Sequence, residues 1–135
     1  MSRVLVLMGS ESDRERMEKA LPILQEAGVE AEVVVSSAHR DPDRTAELAR
    51  SAQERGFSVV ICGAGLSAAL PGVVAAHTKL PVIGVPLNAA LGGLDALLSV
   101  AQMPPGVPVA CVGIDNAKNA AHLALRIIGL TRQPG

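Results

Sequence analysis

Val33-Val34-Val35-Ser36-Ser37-Ala38-His39-Arg40-Asp41-Pro42 carries an apolar, β-branched run into a short polar turn and then into the start of a helix. The valines read as a strand buried on both faces. Asp41 can cap the helix that follows, and Pro42 suits its first position, where a missing N–H costs nothing. His39 and Arg40 then lie on the turn where a strand hands over to a helix. In an open α/β sheet, ligands bind at that carboxyl edge.

The same alternation extends in both directions. Arg3 to Met8 holds the apolar run of a first strand, and Gly9-Ser10-Glu11-Ser12-Asp13 leads into a helical pattern with Met17, Ala20, Leu21, Leu24 and Ala27 on one side. Gly28 closes that helix. Pro22 is in conflict with it, since an interior proline costs about 3 kcal/mol and kinks the helix. A helix from about Pro42 to Arg55 ends at Gly56, Phe57 to Cys62 is a third strand, and a glycine-rich turn, Gly63 to Ser67, precedes a short helix from Ala68 to His77. Pro81 to Pro86 is a fourth strand. Leu87 to Gly93 is a loop, Leu94 to Ala101 a helix, and Val107 to Val112 a fifth strand with Pro108 at its start. Asp115 or Asn116 caps a last helix that turns Ala120, Leu123, Ala124, Ile127 and Ile128 inward. Strands separated by helices are parallel, and their crossovers are right-handed. The expected fold is one domain over residues 1–135, a three-layer α/β/α doubly wound parallel sheet of the flavodoxin-like kind.

Composition narrows the function. Phe57 is the one aromatic residue, so the core is built from Val, Leu, Ile and Ala, and single-stranded bases find no stacking platform. A formal net charge of −1 without a basic run argues against a nucleic-acid partner. No apolar run is long enough to span a bilayer, and the N-terminus opens directly into a strand, so the expected location is the cytoplasm. Cys62 and Cys111 fall in expected buried strands without metal-ligand spacing and read as structural thiols.

Three turns lie at strand carboxyl ends, 9–13, 36–40 and 63–67, and on one edge of one sheet they can converge. The first offers the hydroxyls of Ser10 and Ser12 with backbone N–H groups, the makings of a phosphate cradle. Those residues are also ordinary helix caps. Arg40 can add a bidentate contact to the same phosphate. Asp13 either accepts from sugar hydroxyls or caps its helix. His39 is the histidine on such a turn, and imidazole, titrating at about 6.5, suits proton transfer near neutrality. His77 and His122 lie in helices and read as non-catalytic. No cluster has metal-ligand spacing, and no phosphate loop for ATP is present.

Taken together, a set of segments resembles one family: Met-Gly-Ser-Glu-Ser-Asp (8–13), Ser-Ala-His-Arg-Asp-Pro (37–42), Gly-Ala-Gly-Leu-Ser-Ala-Ala-Leu-Pro-Gly (63–72) and Pro-Val-Ile-Gly-Val-Pro (81–86). Gly-Gly-Leu-Asp-Ala-Leu-Leu-Ser (92–99), Gln-Met-Pro (102–104) and Asn-Ala-Ala (119–121) continue the series in order. They are similar to the catalytic subunit of phosphoribosylaminoimidazole carboxylase in its N5-carboxyaminoimidazole ribonucleotide mutase form. The resemblance covers nearly the whole chain. It implies a step of purine synthesis in which a carboxylate moves from N5 to C4 of an aminoimidazole ribonucleotide, without ATP, metal or other cofactor, in a homo-octamer. Carried over by position, His39 would transfer the proton, and Ser10, Asp13 and Arg40 would bind the nucleotide. Ser12 and Ser37 would help to hold the phosphate and the travelling carboxylate, and Gly65 and Leu66 would line the pocket by backbone.

The chain departs from the family pattern at one pocket position. Many mutases read Ala-His-Leu-Pro-Gly where this chain has Ala68-Ala69-Leu70-Pro71-Gly72. The related direct carboxylases carry a turn of Gly-Arg-Ser-Asn type, which is absent here. The competing readings are direct carboxylation of aminoimidazole ribonucleotide with CO2, a carboxylase of another nucleotide, and a non-catalytic nucleotide-binding module.

Overall fold

A computed structural model describes residues 2–132. Five strands, β1 (Arg3–Met8), β2 (Glu30–Val35), β3 (Phe57–Ala64), β4 (Val82–Pro86) and β5 (Ala110–Cys111), form one sheet in the order β2-β1-β3-β4-β5. Every pairing is parallel. Helices α1 (Arg14–Met17), α2 (Leu21–Glu26), α3 (Pro42–Ser51), α4 (Leu70–His77) and α5 (Leu94–Ala101) make the crossovers, and α6 (Ala117–Arg132) follows the last strand.

Alternation along the strands divides the core into two layers. Val4, Val6 and Met8 of β1, with Val59 and Ile61 of β3, pack on Leu24 of α2 and on Ala120, Ala124 and Ile128 of α6. Leu5 and Leu7, with Val60 and Cys62, face the other way onto Ala49 of α3, Val74 of α4 and Val100 of α5. This is the expected three-layer, flavodoxin-like arrangement. Two glycines close helical segments by the same device. Gly28 and Gly56 sit at positive φ. Val29 N–H reaches Leu24 O and Phe57 N–H reaches Ala52 O, which satisfies carbonyls that the helical turns leave open.

Several local expectations are corrected. β2 is an edge strand and its valines are only half-buried, because one side of it has no neighbour. The edge is charged instead: Arg55 bonds Glu32 at 2.6 Å, Arg3 lies 3.6 Å from Glu30, and both guanidiniums flank the Phe57 ring, at 4.2 and 5.2 Å from its centre. Pro22 does not kink a long helix. The helical run breaks at a 3-10 turn, Glu18–Ala20, and restarts so that Pro22 occupies the first turn of α2, where its missing N–H was an orphan anyway. The Asp41 carboxylate makes no cap hydrogen bond; its backbone carbonyl takes the Thr45 N–H at 3.1 Å. Regular helix in α3 ends at Ser51, and turns continue to Gly56. Helix α4 starts two residues later than expected, after Ser67 at φ 46. β5 shrinks to two residues beside β4, and the half-buried Cys111 is less enclosed than a core strand would make it. Asn116, not Asp115, caps α6, its Oδ1 accepting the Asn119 N–H at 3.0 Å.

Candidate active site

The sheet order reverses direction between β1 and β3, and in such sheets the crevice opens at that switch point. A cleft of about 500 Å³ lies there, walled by the loops that leave β1, β2 and β3. Small residues bring these loops close. A Cβ on Gly63 would meet Met17 Sδ at 2.3 Å, so α1 rests directly on the end of β3. A Cβ on Gly65 would lie 2.8 Å from Ala89 Cβ, which brings the loop after β4 against the same wall.

All eight residues singled out from the sequence line this one cleft: Ser10, Ser12, Asp13, Ser37, His39, Arg40, Gly65 and Leu66. Ser10 Oγ accepts the Ser12 N–H at 3.3 Å and lies 3.0 Å from Ser12 Oγ, which presents the two hydroxyls as a pair. Ser37 Oγ accepts the Arg40 N–H at 3.1 Å, and Ser37 O accepts the Asp41 N–H at 2.9 Å. These two bonds fold the His39 turn. Beneath it, buried Ser36 and Thr45 share a 2.7 Å hydroxyl bond, and Thr45 also donates to Ser37 O at 3.1 Å, anchoring the turn to α3. The side chains of His39 and Arg40 are exposed and have no hydrogen-bond or ion-pair partner among the described residues. Leu66, 74% exposed, stands at the cleft mouth.

Asp13 is largely enclosed, with its side chain 13% exposed and its Oδ1 3.3 Å from Arg16 Nη2. Burial pushes its carboxyl above the usual value, while Arg16 pulls it back. Glu11, at the rim, is held the other way by its bonds to Arg14 at 2.7 and 2.8 Å. Cys62 lies fully buried in β3, where loss of solvent pushes its thiol far up and leaves it inert. His77 bonds Val73 O at 2.8 Å, and neither it nor His122 lines this cleft. No group of three or more His, Cys, Asp or Glu among the described residues is placed to hold a metal ion.

Ala89, Arg16 and Asp115 also shape the site and were not singled out from the sequence. Ala89 follows β4, so the strand-end rule that flagged the other turns applied to it as well. Arg16 stands three residues after Asp13, a spacing at which helical side chains meet. Asp115 stands in the loop after β5, so the strand-end rule applied to it too, but nothing in its spacing pairs it with Arg16.

A sequence model of the AIR carboxylase family matches residues 3–134. The N5-carboxyaminoimidazole ribonucleotide mutase of Pyrococcus horikoshii is 58% identical over 126 residues, covering 93% of this chain and 71% of that protein. The enzyme of the same name from Thermotoga maritima is 55% identical over 131 residues, 96% of this chain and 77% of its own length. Among solved structures, Treponema denticola PurE matches with a TM-score of 0.84 at 32% identity, over 96% of this chain and 82% of that one. The match runs through every strand and every loop of the cleft, and the chain belongs to the AIR carboxylase family.

Proposed function

We propose that this chain converts N5-carboxyaminoimidazole ribonucleotide to 4-carboxyaminoimidazole ribonucleotide, with His39 as acid and then base. The supporting observation is that the His39 and Arg40 side chains, unpartnered among the described residues, share one cleft with the hydroxyls of Ser10 and Ser12, the Asp13 carboxylate and residues Gly65 and Leu66. Arg40 and the serine pair take the phosphate, Asp13 a ribose hydroxyl, and Ser37 steadies the carboxylate in transit. Imidazolium at His39 protonates N5 as the N5–carboxyl bond breaks, and the bonding pair stays on nitrogen. The CO2 released remains against the ring, where C4 attacks it, which spares the step a bimolecular encounter. Neutral His39 then removes the C4 proton and restores the aromatic ring, ending in the protonation state in which it began.

Side-by-side assays with N5-carboxyaminoimidazole ribonucleotide, and with aminoimidazole ribonucleotide plus bicarbonate, test this reading. Fast conversion of the first, with the second slow except at high bicarbonate, is the expected result. The reverse preference makes the protein a direct carboxylase; Ala69 at the cleft wall, where many mutases carry His, favours instead the module that binds without turnover. Binding without turnover of either leaves a nucleotide-binding module.

We further propose that the working form is a homo-octamer in the cytoplasm. No described helix is long and apolar enough to cross a membrane. Leu91 is 79% exposed and Leu94 55%, a pair of large apolar side chains that a stable monomer tends to cover. Light scattering on the purified protein is expected to give the mass of eight chains; a monomer would remove the proposal.

A further inference from the structure

Arg16 is held from three directions. Its Nη2 lies 3.3 Å from Asp13 Oδ1, its Nη1 lies 3.2 Å from Asp115 Oδ1, and Nη1 also donates to Asn88 O at 2.9 Å. The Asn88 N–H closes the ring by donating to Asp115 Oδ1 at 2.9 Å. One guanidinium therefore ties the segment after β1 to the loops after β4 and β5. Asp115 adopts φ 60 to take part, a left-handed conformation that Asp tolerates better than most residues.

We propose that Arg16 is a positioning residue for Asp13: it fixes the carboxylate through Oδ1 and leaves Oδ2 to accept from a hydroxyl of the bound nucleotide sugar. The inference rests on the reading of Asp13 as a nucleotide contact. A planar fork is needed, because the Nη2 branch must hold Asp13 while the Nη1 branch stays engaged with Asp115 and Asn88. A lysine at this position is a point charge and serves such a ring poorly.

Arg16 also sets how readily Asp13 ionises. Burial and the Asp115 charge favour the neutral acid, and the charge and hydrogen bond of Arg16 oppose them. Other charged groups at the same cleft are Glu11, which is engaged with Arg14, and His39 and Arg40 on the facing turn. Removing Arg16 takes away both opposing influences. Removing the Asp115 charge takes away one of those that favour the acid.

Steady-state kinetics with N5-carboxyaminoimidazole ribonucleotide, run across the acid limb of the pH profile, test the inference on R16M, R16K, D115N, D13N and the R16M/D13N double variant. R16M is expected to raise KM about tenfold, the loss of one charge-assisted contact, with kcat largely kept. R16K should recover only part of that affinity. R16M should move the acid limb of kcat/KM to higher pH and D115N should move it to lower pH, a divergence that a purely structural role does not produce. The double variant should be no worse than D13N alone, since Arg16 acts through Asp13. An unchanged KM in R16M beside a raised KM in D13N overturns the inference, as does an R16M effect that adds to that of D13N. An unchanged KM in D13N itself overturns the reading of Asp13 on which it rests. Should R16M not fold, the acid-limb shift in D115N decides.

Discussion

Replacing His39 by Asn is expected to abolish turnover while leaving the fold and nucleotide binding in place. The side chain is exposed and has no hydrogen-bond or ion-pair partner among the described residues, so its removal orphans no buried group. The turn that carries it stays folded, since that geometry comes from Ser37, Thr45 and the peptide N–H groups of Arg40 and Asp41. What is lost is the one group assigned to both proton transfers. A single positioned acid or base contributes roughly 10²- to 10⁴-fold, and here two successive steps lose theirs. The checks are kcat, product binding by calorimetry and a thermal melt. Near-normal kcat would remove His39 from the mechanism. A lowered melting point would show that the turn depends on the imidazole.

The largest loss of stability is expected from Gly84→Ala. Gly84 lies in β4, where an added Cβ would meet Val100 Cγ1 at 2.4 Å, Val109 Cγ1 at 3.1 Å and Pro71 Cβ at 3.2 Å. None of these neighbours gives way easily. Val100 is β-branched and sits in a helix, where one rotamer dominates, and Pro71 is a ring in the first turn of α4. The methyl must therefore push α5 off the sheet, an overpacking cost of about 1–3 kcal/mol or more. Gly63→Ala provides the contrast. Its shortest contact is as severe, but with the thioether of Met17, which can swing aside, so the loss should be smaller. Urea midpoints at equal slope measure both. A G84A protein as stable as the parent would mean that α5 is not seated on β4 as described.

The alternation of apolar runs with capped helical patterns was enough to read the doubly wound sheet. It also brought the candidate residues into one cleft, because the polar residues of 9–13 and 37–40 and the glycine-rich segment that ends β3 lie at the carboxyl ends of three strands that are side by side. What misled was local. Val33 to Val35 looks the same in a central or an edge strand, and only Glu30 and Glu32, facing Arg3 and Arg55, mark the edge. Pro22 looked like a fault in one long helix because nothing in the apolar spacing shows where a helix restarts. The ring joining Arg16 to Asp115 spans 99 residues and depends on how two loops fold, so neither partner announces the other.

That Phe57 is the lone aromatic residue has a practical consequence for spectroscopy. A chain without Trp or Tyr is almost dark in the near ultraviolet, so the absorbance of an imidazole nucleotide can be followed against very little protein background. It also means that a single tryptophan placed at Leu66, at the mouth of the cleft, would be the only indole in the molecule, and its emission would report occupancy of the site directly.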